Sequence, residues 1–193
     1  PLVGFSGCQG SGKSTLVAFM AEVMREVHGV STVVLSLDDF YLTKAARASL
    51  AESIHPLFAT RGVPGTHDLA LLNETITALR LARAAVPVPT FDKARDNRTE
   101  MVHWRQVSAP VQLILLEGWC IGLSPQKDSE LEEPVNSVEA EQDPSLVWRR
   151  EVNRQLANGY ADLFGELEAL LLLQAPSFEA VFEWRWQQEQ RLS

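Results

Sequence analysis

The sequence predicts an α/β fold of three layers, in which a parallel central sheet lies between helices on both of its faces. Two observations carry this prediction. Short apolar runs alternate along the chain with segments of helical periodicity, which is the element order of βαβ units. The apolar runs are continuous rather than alternating with polar residues, as expected for parallel strands that are buried on both faces.

Five apolar segments are predicted to be strands, at residues 2–6, 32–37, 86–88, 111–117 and 169–174. The third is the weakest of these predictions, because Pro87 lacks an amide hydrogen and suits an edge position better. Helices are predicted at about 13–28, 68–84 and 145–165, and a last one begins near Ser177. Ligands of such sheets bind beyond the carboxyl ends of the strands, so the polar residues that follow each strand are the candidates for chemistry.

A glycine-rich segment follows the first strand and matches the phosphate-binding pattern G-x-x-x-x-G-K-[ST]. Its glycines let the backbone turn sharply, so that successive amide groups and the start of the next helix can surround a phosphate. Lys13 is expected to reach the β- and γ-phosphates, and the Ser14 hydroxyl to bind Mg²⁺. We therefore predict a P-loop NTPase that uses ATP and Mg²⁺. The predicted nucleotide-binding residues are Gly7, Cys8, Gln9, Gly10, Ser11, Gly12, Lys13, Ser14 and Thr15.

Carboxylates follow the second and the fourth predicted strand. Asp38 and Asp39 come directly after the second, where one can accept a proton from an attacking hydroxyl and either can hold Mg²⁺ through water. The alternative is an aspartate-rich turn that begins a helix near 43–52. Glu117 ends the fourth strand like a Walker B carboxylate, and its alternative is a solvated strand end. The predicted metal ligands are therefore Ser14, Asp38 and Glu117.

Two charged loops are predicted to bind an acceptor. Residues 61–68 form a turn shaped by glycine and proline that can present His67 and Asp68, although Thr66 or Asp68 can equally be a simple helix cap. Residues 90–98 hold three cations and two carboxylates, which suits an anionic or polyhydroxy substrate, the alternative being a solvated loop. The predicted acceptor-binding residues are Asp39, Tyr41, Arg61, His67, Asp68, Lys93, Arg95 and Arg98.

The last helix is predicted to supply arginine to the transferring phosphoryl group, as mobile lids do in phosphoryl-transfer enzymes. Arg185 is the first candidate and Arg191 the second. The alternative is an amphipathic surface helix with two aromatic anchors.

Composition narrows the expected partners and the compartment. The net charge is −8 and no basic tract is present, so neither nucleic acid nor an anionic membrane surface is an expected partner. No apolar run approaches the length of a membrane span, and no secretory signal pattern is found. Cys8 and Cys120 are interpreted as reduced thiols of a cytoplasmic enzyme. The oligomeric state is not specified by the sequence.

The chain of 193 residues is expected to form one domain over residues 1–193. It begins directly in the first strand and stops within a predicted helix, so both ends read as truncated. Seven of the 25 acidic residues lie between Asp128 and Asp143, with no lysine or arginine among them. We interpret residues 124–144 as an acidic, solvated insertion loop, with disorder as an open alternative.

The motifs together resemble those of the plant-type D-glycerate 3-kinase family over nearly the whole chain. They are Gly-x-x-Gly-Ser-Gly-Lys-Ser-Thr, Leu-Asp-Asp-Phe-Tyr, Arg-Gly-Val-Pro-Gly-Thr-His-Asp, Phe-Asp-Lys, Leu-Glu-Gly-Trp and Glu-Trp-Arg. The third and the fifth are the specific ones, whereas the first two are shared with uridine kinases, phosphoribulokinases and pantothenate kinases. The resemblance implies an NMP-kinase-like P-loop fold and an ATP-dependent kinase.

The resemblance also implies roles for individual residues. Asp38 would be the catalytic base and Glu117 would lie near metal and substrate, while Arg185 and Arg191 would be lid arginines. Residues 67–68 and 93–98 would face the substrate. The expected reaction is transfer of the γ-phosphoryl group of ATP to a hydroxyl of a small metabolite, with D-glycerate as first choice. The alternatives are a uridine- or pantothenate-like acceptor, and a regulatory P-loop ATPase that binds a protein partner.

Overall fold

A parallel sheet forms the centre of the computed structural model, which describes residues 1–192 and, among these, all side chains except those at 188, 189, 191 and 192. The strands described are β1 (Leu2–Gly7), β2 (Thr32–Ser36), β3 (Val86–Val88), β4 (Phe91–Asp92), β5 (Asn97–Arg98), β6 (Arg105–Val107), β7 (Leu113–Gly118) and β8 (Ala169–Leu173). The helices described are α1 (Lys13–Glu26), α2 (Lys44–Ser53), α3 (Leu69–Leu81), α4 (Ser137–Gln142), α5 (Val147–Gln155), α6 (Ala161–Gly165) and α7 (Phe178–Leu192). Four strands make the central sheet in the order β2-β7-β1-β8, and all of them are parallel.

Helices cover both faces of this sheet, which confirms the three-layer prediction. Successive residues of a strand point to opposite faces, and β7 divides its apolar side chains accordingly. Leu115 packs with Phe5 of β1 against Val17 and Ala21 of α1. The neighbouring Ile114 lies in a larger cluster on the other face, which includes the buried leucine and isoleucine side chains of α3. Burial of each such side chain contributes roughly 1.5–3 kcal/mol.

The third predicted strand is found at β3, but its predicted place in the parallel sheet is wrong. It pairs antiparallel with β6 in a separate ribbon, where Pro87 lies opposite Gln106. A proline removes one hydrogen-bond donor from a ladder, and a two-stranded ribbon with open edges tolerates that loss. The hairpin of β4 and β5, which the sequence did not predict, follows directly after β3 and carries Lys93 to Asp96 at its turn.

Strand β8 forms an edge of the central sheet and pairs with β1 alone among the described strands. Its apolar sequence predicts burial, yet Leu170 is 47% exposed and Leu172 is 66% exposed. Apolar composition therefore located the strand correctly but did not indicate how much of it is covered.

The predicted helix at 145–165 is divided into α5 and α6. A π-helical turn at Leu156–Tyr160 separates them, and Asn158 within it has the non-helical angles φ −112° and ψ −109°. This turn directs the fully buried Tyr160 into the core beneath the loop at 61–68.

The acidic segment 124–144 is exposed over most of its length. It contains α4, and its last acidic residue, Asp143, is fully buried. The Asp143 carboxylate accepts hydrogen bonds from the amide groups of Trp148 and Arg149 and from the Arg149 guanidinium. Burial alone would raise the pKa of Asp143, but these donors outweigh it, and the pKa is lowered.

Candidate functional site

The glycine-rich segment forms a loop at the carboxyl end of β1. Gly10 and Gly12 have positive φ angles of 80° and 78°, which favour glycine, and Gly12 precedes the first residue of α1. No side chain caps α1, so the amide groups of its first turn are directed towards the loop. The Ser11 hydroxyl is buried and has no hydrogen-bond partner among the described residues. An orphaned donor and uncapped amides together fit an anionic ligand such as a polyphosphate.

The last helix lies against this loop at Gly10. A Cβ atom at Gly10 would lie 2.7 Å from the Cβ atom of Trp184, which is closer than side chains approach. The absence of a side chain at Gly10 therefore lets α7 reach the loop and brings Arg185 to it.

Lys13 forms an ion pair with Glu117 at the end of β7. The two side chains are 14% and 8% exposed, so the pair is largely shielded from water. Lys13 and Glu117 are brought together because β1 and β7 are neighbours in the sheet, with Phe5 opposite Glu117. Lys13 must exchange this partner for phosphate oxygens if it is to hold a nucleotide.

Asp38 lies in the short 3-10 helix Leu37–Phe40 that follows β2. Its carboxylate accepts a hydrogen bond of 2.8 Å from Lys93 and one of 3.2 Å from the Tyr41 hydroxyl. Burial alone would raise the pKa of Asp38, but the hydrogen bond and charge of Lys93, with the Tyr41 hydroxyl, outweigh it and lower the pKa. Asp38 is therefore ionised at neutral pH, as a proton acceptor must be.

The adjacent Asp39 has a different environment. Its carboxylate accepts a hydrogen bond of 3.1 Å from the amide of Phe91, which ties the start of β4 to the end of β2. The pKa of Asp39 is raised above its ordinary value, and burial is the largest cause of this rise. Asp39 lines neither of the two cavities described next, whereas the sequence led us to expect it among the residues that bind the acceptor.

Two adjoining cavities open beyond the strand ends. The loop cavity, of about 540 Å³, is lined by residues 8–15 and by Asp38, Lys93, Trp184, Arg185 and Gln187. The hairpin cavity, of about 500 Å³, is lined by Gly7, Gln9, Lys13, Asp38, Tyr41, Ala59, Thr60, Arg61, Gly62, Lys93, Asp96, Trp119 and Arg185. Both cavities share Gln9, Lys13, Asp38, Lys93 and Arg185. A carboxylate and three cations therefore lie where the two cavities meet.

Arg61 lines the hairpin cavity and is held by the turn of the β4–β5 hairpin. Its guanidinium forms an ion pair with Asp96, and it lies 5.5 Å from the centre of the Phe91 ring. Asp96 also binds Arg47, which is fully buried, at 2.6 Å. Burial alone would raise the pKa of Asp96, but the two guanidinium groups outweigh it and lower the pKa.

Besides Asp39, four of the predicted acceptor-binding residues lie outside both cavities. His67 is 95% buried, stacks on Tyr41 at 4.4 Å between ring centres, and contacts the Tyr160 hydroxyl at 2.6 Å through Nδ1. Asp68 accepts a hydrogen bond from the amide of Leu71 and so caps α3, the simpler of the two roles considered for it. The remaining two are arginines of the hairpin segment, Arg95 and Arg98.

The two hairpin arginines differ in burial. Arg98 donates to the backbone oxygen of Tyr41 and to Asp68, each at 2.9 Å, and is thereby used inside the fold. The Arg95 side chain is 87% exposed and pairs only loosely, at 3.6 Å, with Asp92. Of the four cations named as candidates in this region, the structure thus brings Lys93 and Arg61 to the hairpin cavity. The side chain of Arg191, the second lid candidate, lies outside the described part.

Sequence reasoning missed Asp96 and Arg47. Asp96 has a φ of 52°, which aspartate tolerates better than most residues, and the adjoining Asn97 made a turn at this point predictable. Arg47 carries no such signal, because a single arginine in a helix is normally exposed. Trp119 donates a hydrogen bond of 2.9 Å to the backbone oxygen of Gly62 and forms part of the cavity wall.

Hard oxygen donors for a cation are present in the loop cavity. The Ser14 hydroxyl is exposed there, and the Asp38 carboxylate lines the same cavity. Among the described residues, no group of three or more histidine, cysteine or acidic side chains is arranged to hold a metal. This donor set fits Mg²⁺, which proteins commonly bind through one or two carboxylates together with substrate phosphates. Glu117, the third predicted ligand, lines neither cavity and is instead paired with Lys13.

The helices of the described region include none that is both long and apolar enough to cross a lipid bilayer.

Comparisons with known proteins agree with this geometry. No protein-family model matches the chain. The chain is 35% identical over 201 residues to the uncharacterized kinase mug58 of Schizosaccharomyces pombe. The matched region covers 99% of this chain and 70% of the yeast protein. It is 34% identical over 199 residues to the chloroplastic D-glycerate 3-kinase of Arabidopsis thaliana. This matched region covers 97% of this chain but 41% of the plant protein. The solved structure of a D-glycerate 3-kinase from Cryptococcus neoformans matches with a TM-score of 0.84 and 27% identity, over 99% of this chain and 69% of that one.

Proposed function

Because the chain belongs to the plant-type D-glycerate 3-kinase family of P-loop kinases, we propose that it transfers the γ-phosphoryl group of ATP to a hydroxyl of D-glycerate. The observation that carries this proposal is the junction of the two cavities, which Asp38, Lys13, Lys93 and Arg185 all line. One cavity has the features of a polyphosphate site, and the other is open to a small polar acceptor.

The proposed chemistry divides the work between Asp38 and the surrounding cations. Asp38 accepts the proton of the attacking hydroxyl, and its lowered pKa keeps it ionised for that purpose. The acceptor must displace Lys93 from one carboxylate oxygen, after which Lys93 can neutralise charge on the transferring group. Lys13 and Arg185 face the same group from the loop and from α7. Positioning and electrostatics then supply most of the rate enhancement, as is usual for phosphoryl transfer.

Mg²⁺ belongs to the same proposal. Ser14 and Asp38 are the residues that would hold it, directly or through water, because both present oxygen atoms to the loop cavity. When bound, the ion neutralises charge on the phosphate oxygens. Glu117 supports the site indirectly by holding Lys13 until a nucleotide arrives.

A second acceptor class is considered because of one observation: Tyr41 and Trp119 line the hairpin cavity. Aromatic side chains can stack on a nucleoside base, so a uridine-like acceptor remains an alternative to D-glycerate. A pantothenate-like acceptor is the other alternative within the kinases.

The two cysteines, Cys8 and Cys120, are both unpaired, which agrees with the cytoplasm as the proposed compartment of the enzyme.

The experiment is a measurement of ADP release from Mg-ATP with D-glycerate, L-glycerate, glycerol, uridine and pantothenate as acceptors. We expect D-glycerate to give the highest kcat/KM and the product to be a phosphoglycerate by mass spectrometry. Stimulation by uridine or pantothenate instead would assign that acceptor. ATP hydrolysis that responds to no metabolite but to a protein partner would favour a regulatory ATPase.

A further inference from the structure

Arg61 differs from the other cations around the hairpin cavity. Lys13, Lys93 and Arg185 line this cavity and the loop cavity alike, so each can face the phosphate groups. Arg61 lines the hairpin cavity alone, and no other described lysine or arginine does so. Its charge is therefore available to the acceptor rather than to the nucleotide.

The position of Arg61 is fixed by the residues behind it. One oxygen of Asp96 binds Arg61 and the other binds Arg47. Arg47 in turn donates to the backbone oxygens of Leu42 at 2.7 Å and of Ala59 at 3.3 Å, so a fully buried guanidinium anchors the arrangement to α2 and to the segment before Arg61. Arg61 is thus held in one orientation before any ligand binds, which lowers the entropic cost of binding.

Two features make the cluster of Arg47, Asp96 and Arg61 suitable for binding a carboxylate. Asp96 is the only hydrogen-bond partner of Arg61 in the described part of the chain, and it engages one terminal nitrogen, so further donors of the planar fork remain available. Arg47 and Arg61 share the single carboxylate of Asp96, which leaves the group with a net charge of +1. One bound anion would neutralise it.

We propose that Arg61 recognises the carboxylate of the acceptor and that Asp96, anchored by Arg47, is the residue that positions Arg61. The proposal rests on the proposed function and deepens it: the acceptor is a hydroxy acid, bound by its carboxylate at Arg61 so that a hydroxyl is left to Asp38. A neutral polyol of the same size lacks the charged end and is selected against.

The first test replaces Arg61 by Gln and by Lys. We expect R61Q to raise the KM for D-glycerate about 10- to 100-fold, the range of a hydrogen-bonded ion pair, and to change kcat much less, since the contact is made equally in the ground and transition states. The KM for ATP should change little, and glycerol, which has no carboxylate, should lose far less kcat/KM than D-glycerate. R61K keeps the charge but not the fork, and should recover only part of the loss. Arg83→Gln, at an exposed arginine that lines neither cavity, is the matched control.

The second test is a double-mutant cycle with Asp96. D96N should raise the KM for D-glycerate about 3- to 10-fold in the wild-type background, because Arg61 loses its fixed orientation. In the R61Q background, D96N should raise it no further, since a residue that acts through Arg61 has nothing left to act on. A general structural role would instead give additive losses and lower kcat in both backgrounds.

The outcomes separate this inference from the proposed function. Calorimetric titration of the chain with D-glycerate in the presence of Mg-ADP measures binding without turnover. If the wild type binds D-glycerate and R61Q does not, the inference stands even where phosphorylation fails. If the wild type phosphorylates D-glycerate and R61Q has an unchanged KM, the inference is overturned while the function stands. A rise in KM with R95Q rather than R61Q would overturn it as well, and wild-type protein that neither binds nor phosphorylates D-glycerate would overturn both.

Discussion

Asp38 is surrounded by groups that keep it charged while leaving it reachable from both cavities. Two donors, Lys93 and the Tyr41 hydroxyl, stabilise its carboxylate form. The same arrangement explains why Asp38 and Asp39, adjacent in sequence, differ in chemistry: the first faces the cavities and has a lowered pKa, whereas the second binds the amide of Phe91 and has a raised pKa.

The Asp38→Asn variant tests the role of this carboxylate. Asparagine keeps the size of the side chain but cannot accept a proton, so we expect kcat to fall by at least about 100-fold, the scale of a general base. The affinity for ATP, measured by calorimetry, should change little. Asp39→Asn is the companion variant, and its kcat should fall far less. Near-normal turnover of Asp38→Asn would contradict the assignment.

Substitutions in the pair of Lys13 and Glu117 should affect folding stability and ATP binding differently. Lys13→Ala leaves a buried carboxylate without its partner, and we expect the free energy of unfolding to fall by about 3 kcal/mol. Adding Glu117→Gln removes the uncompensated charge and should restore most of that stability, as judged by urea unfolding. ATP binding should stay weak in both variants because the lysine is missing. Recovery of ATP binding in the double variant would show that Lys13 does not contact phosphate.

At the scale of the elements, the segment 61–68 shows what a motif can and cannot reveal. The sequence Arg-Gly-Val-Pro-Gly-Thr-His-Asp predicted a shaped loop with polar chemistry, and Arg61 does line the hairpin cavity. His67 and Asp68 instead support the fold, one against Tyr41 and Tyr160 and the other at the start of α3. Polar residues of this motif have different surroundings because the chain turns between them. Glycine and proline predicted the turn, but not which side chains would line the cavity.

The buried His67 predicts a pH dependence of stability. Burial disfavours the charged ring and lowers the pKa of His67 to about 3, whereas an unfolded histidine has a pKa of about 6.5. Between these values the unfolded chain binds a proton that the folded chain does not. The free energy of unfolding should therefore decrease as the pH falls below 6.5, by about 1.4 kcal/mol per pH unit from this residue.

Urea unfolding at pH 7.5, 6.5 and 5.5 measures this contribution. His67→Asn should have a shallower decrease with falling pH than the wild type, whatever its stability at pH 7.5. His28→Asn, at an exposed histidine, is the control and should keep the wild-type slope. Equal slopes in all three proteins would mean that His67 titrates normally.

For the whole molecule, the sequence predicted the three layers and the polar residues at the carboxyl ends of the central strands. It predicted the smaller β elements beside those strand ends less well. Continuous apolar runs located β1, β2 and β7 because burial on both faces constrains every residue of a strand. The same apolar pattern located β8, although most of that strand is exposed. The sequence located β3 but did not predict its pairing with β6 or the hairpin of β4 and β5, since β4, β5 and β6 are two or three residues long and carry little pattern. The hairpin nevertheless supplies Lys93 and Asp96 to the site, so the missed elements matter for function.

Ligand binding should be visible in the stability of the whole chain. A ligand that binds only the folded state adds about 2.7 kcal/mol at 100 times its Kd. For a protein of this size, Mg-ATP at that concentration should raise the midpoint of thermal unfolding by about 5–10 °C. Scanning calorimetry with and without Mg-ATP measures the shift, with Lys13→Ala as the comparison that should show little of it. No shift in the wild type, at concentrations up to millimolar, would contradict a polyphosphate site in the loop.

The contact between Gly10 and Trp184 links two parts of the chain that are far apart in sequence. A methyl group at position 10 would lie 2.7 Å from the Cβ atom of Trp184, so the loop or α7 would have to shift. The loop that we propose to bind phosphate and the helix that carries Arg185 are thus in contact at a residue that has no side chain. A substitution at position 10 would therefore alter the distance between the loop and Arg185 without changing any charged group.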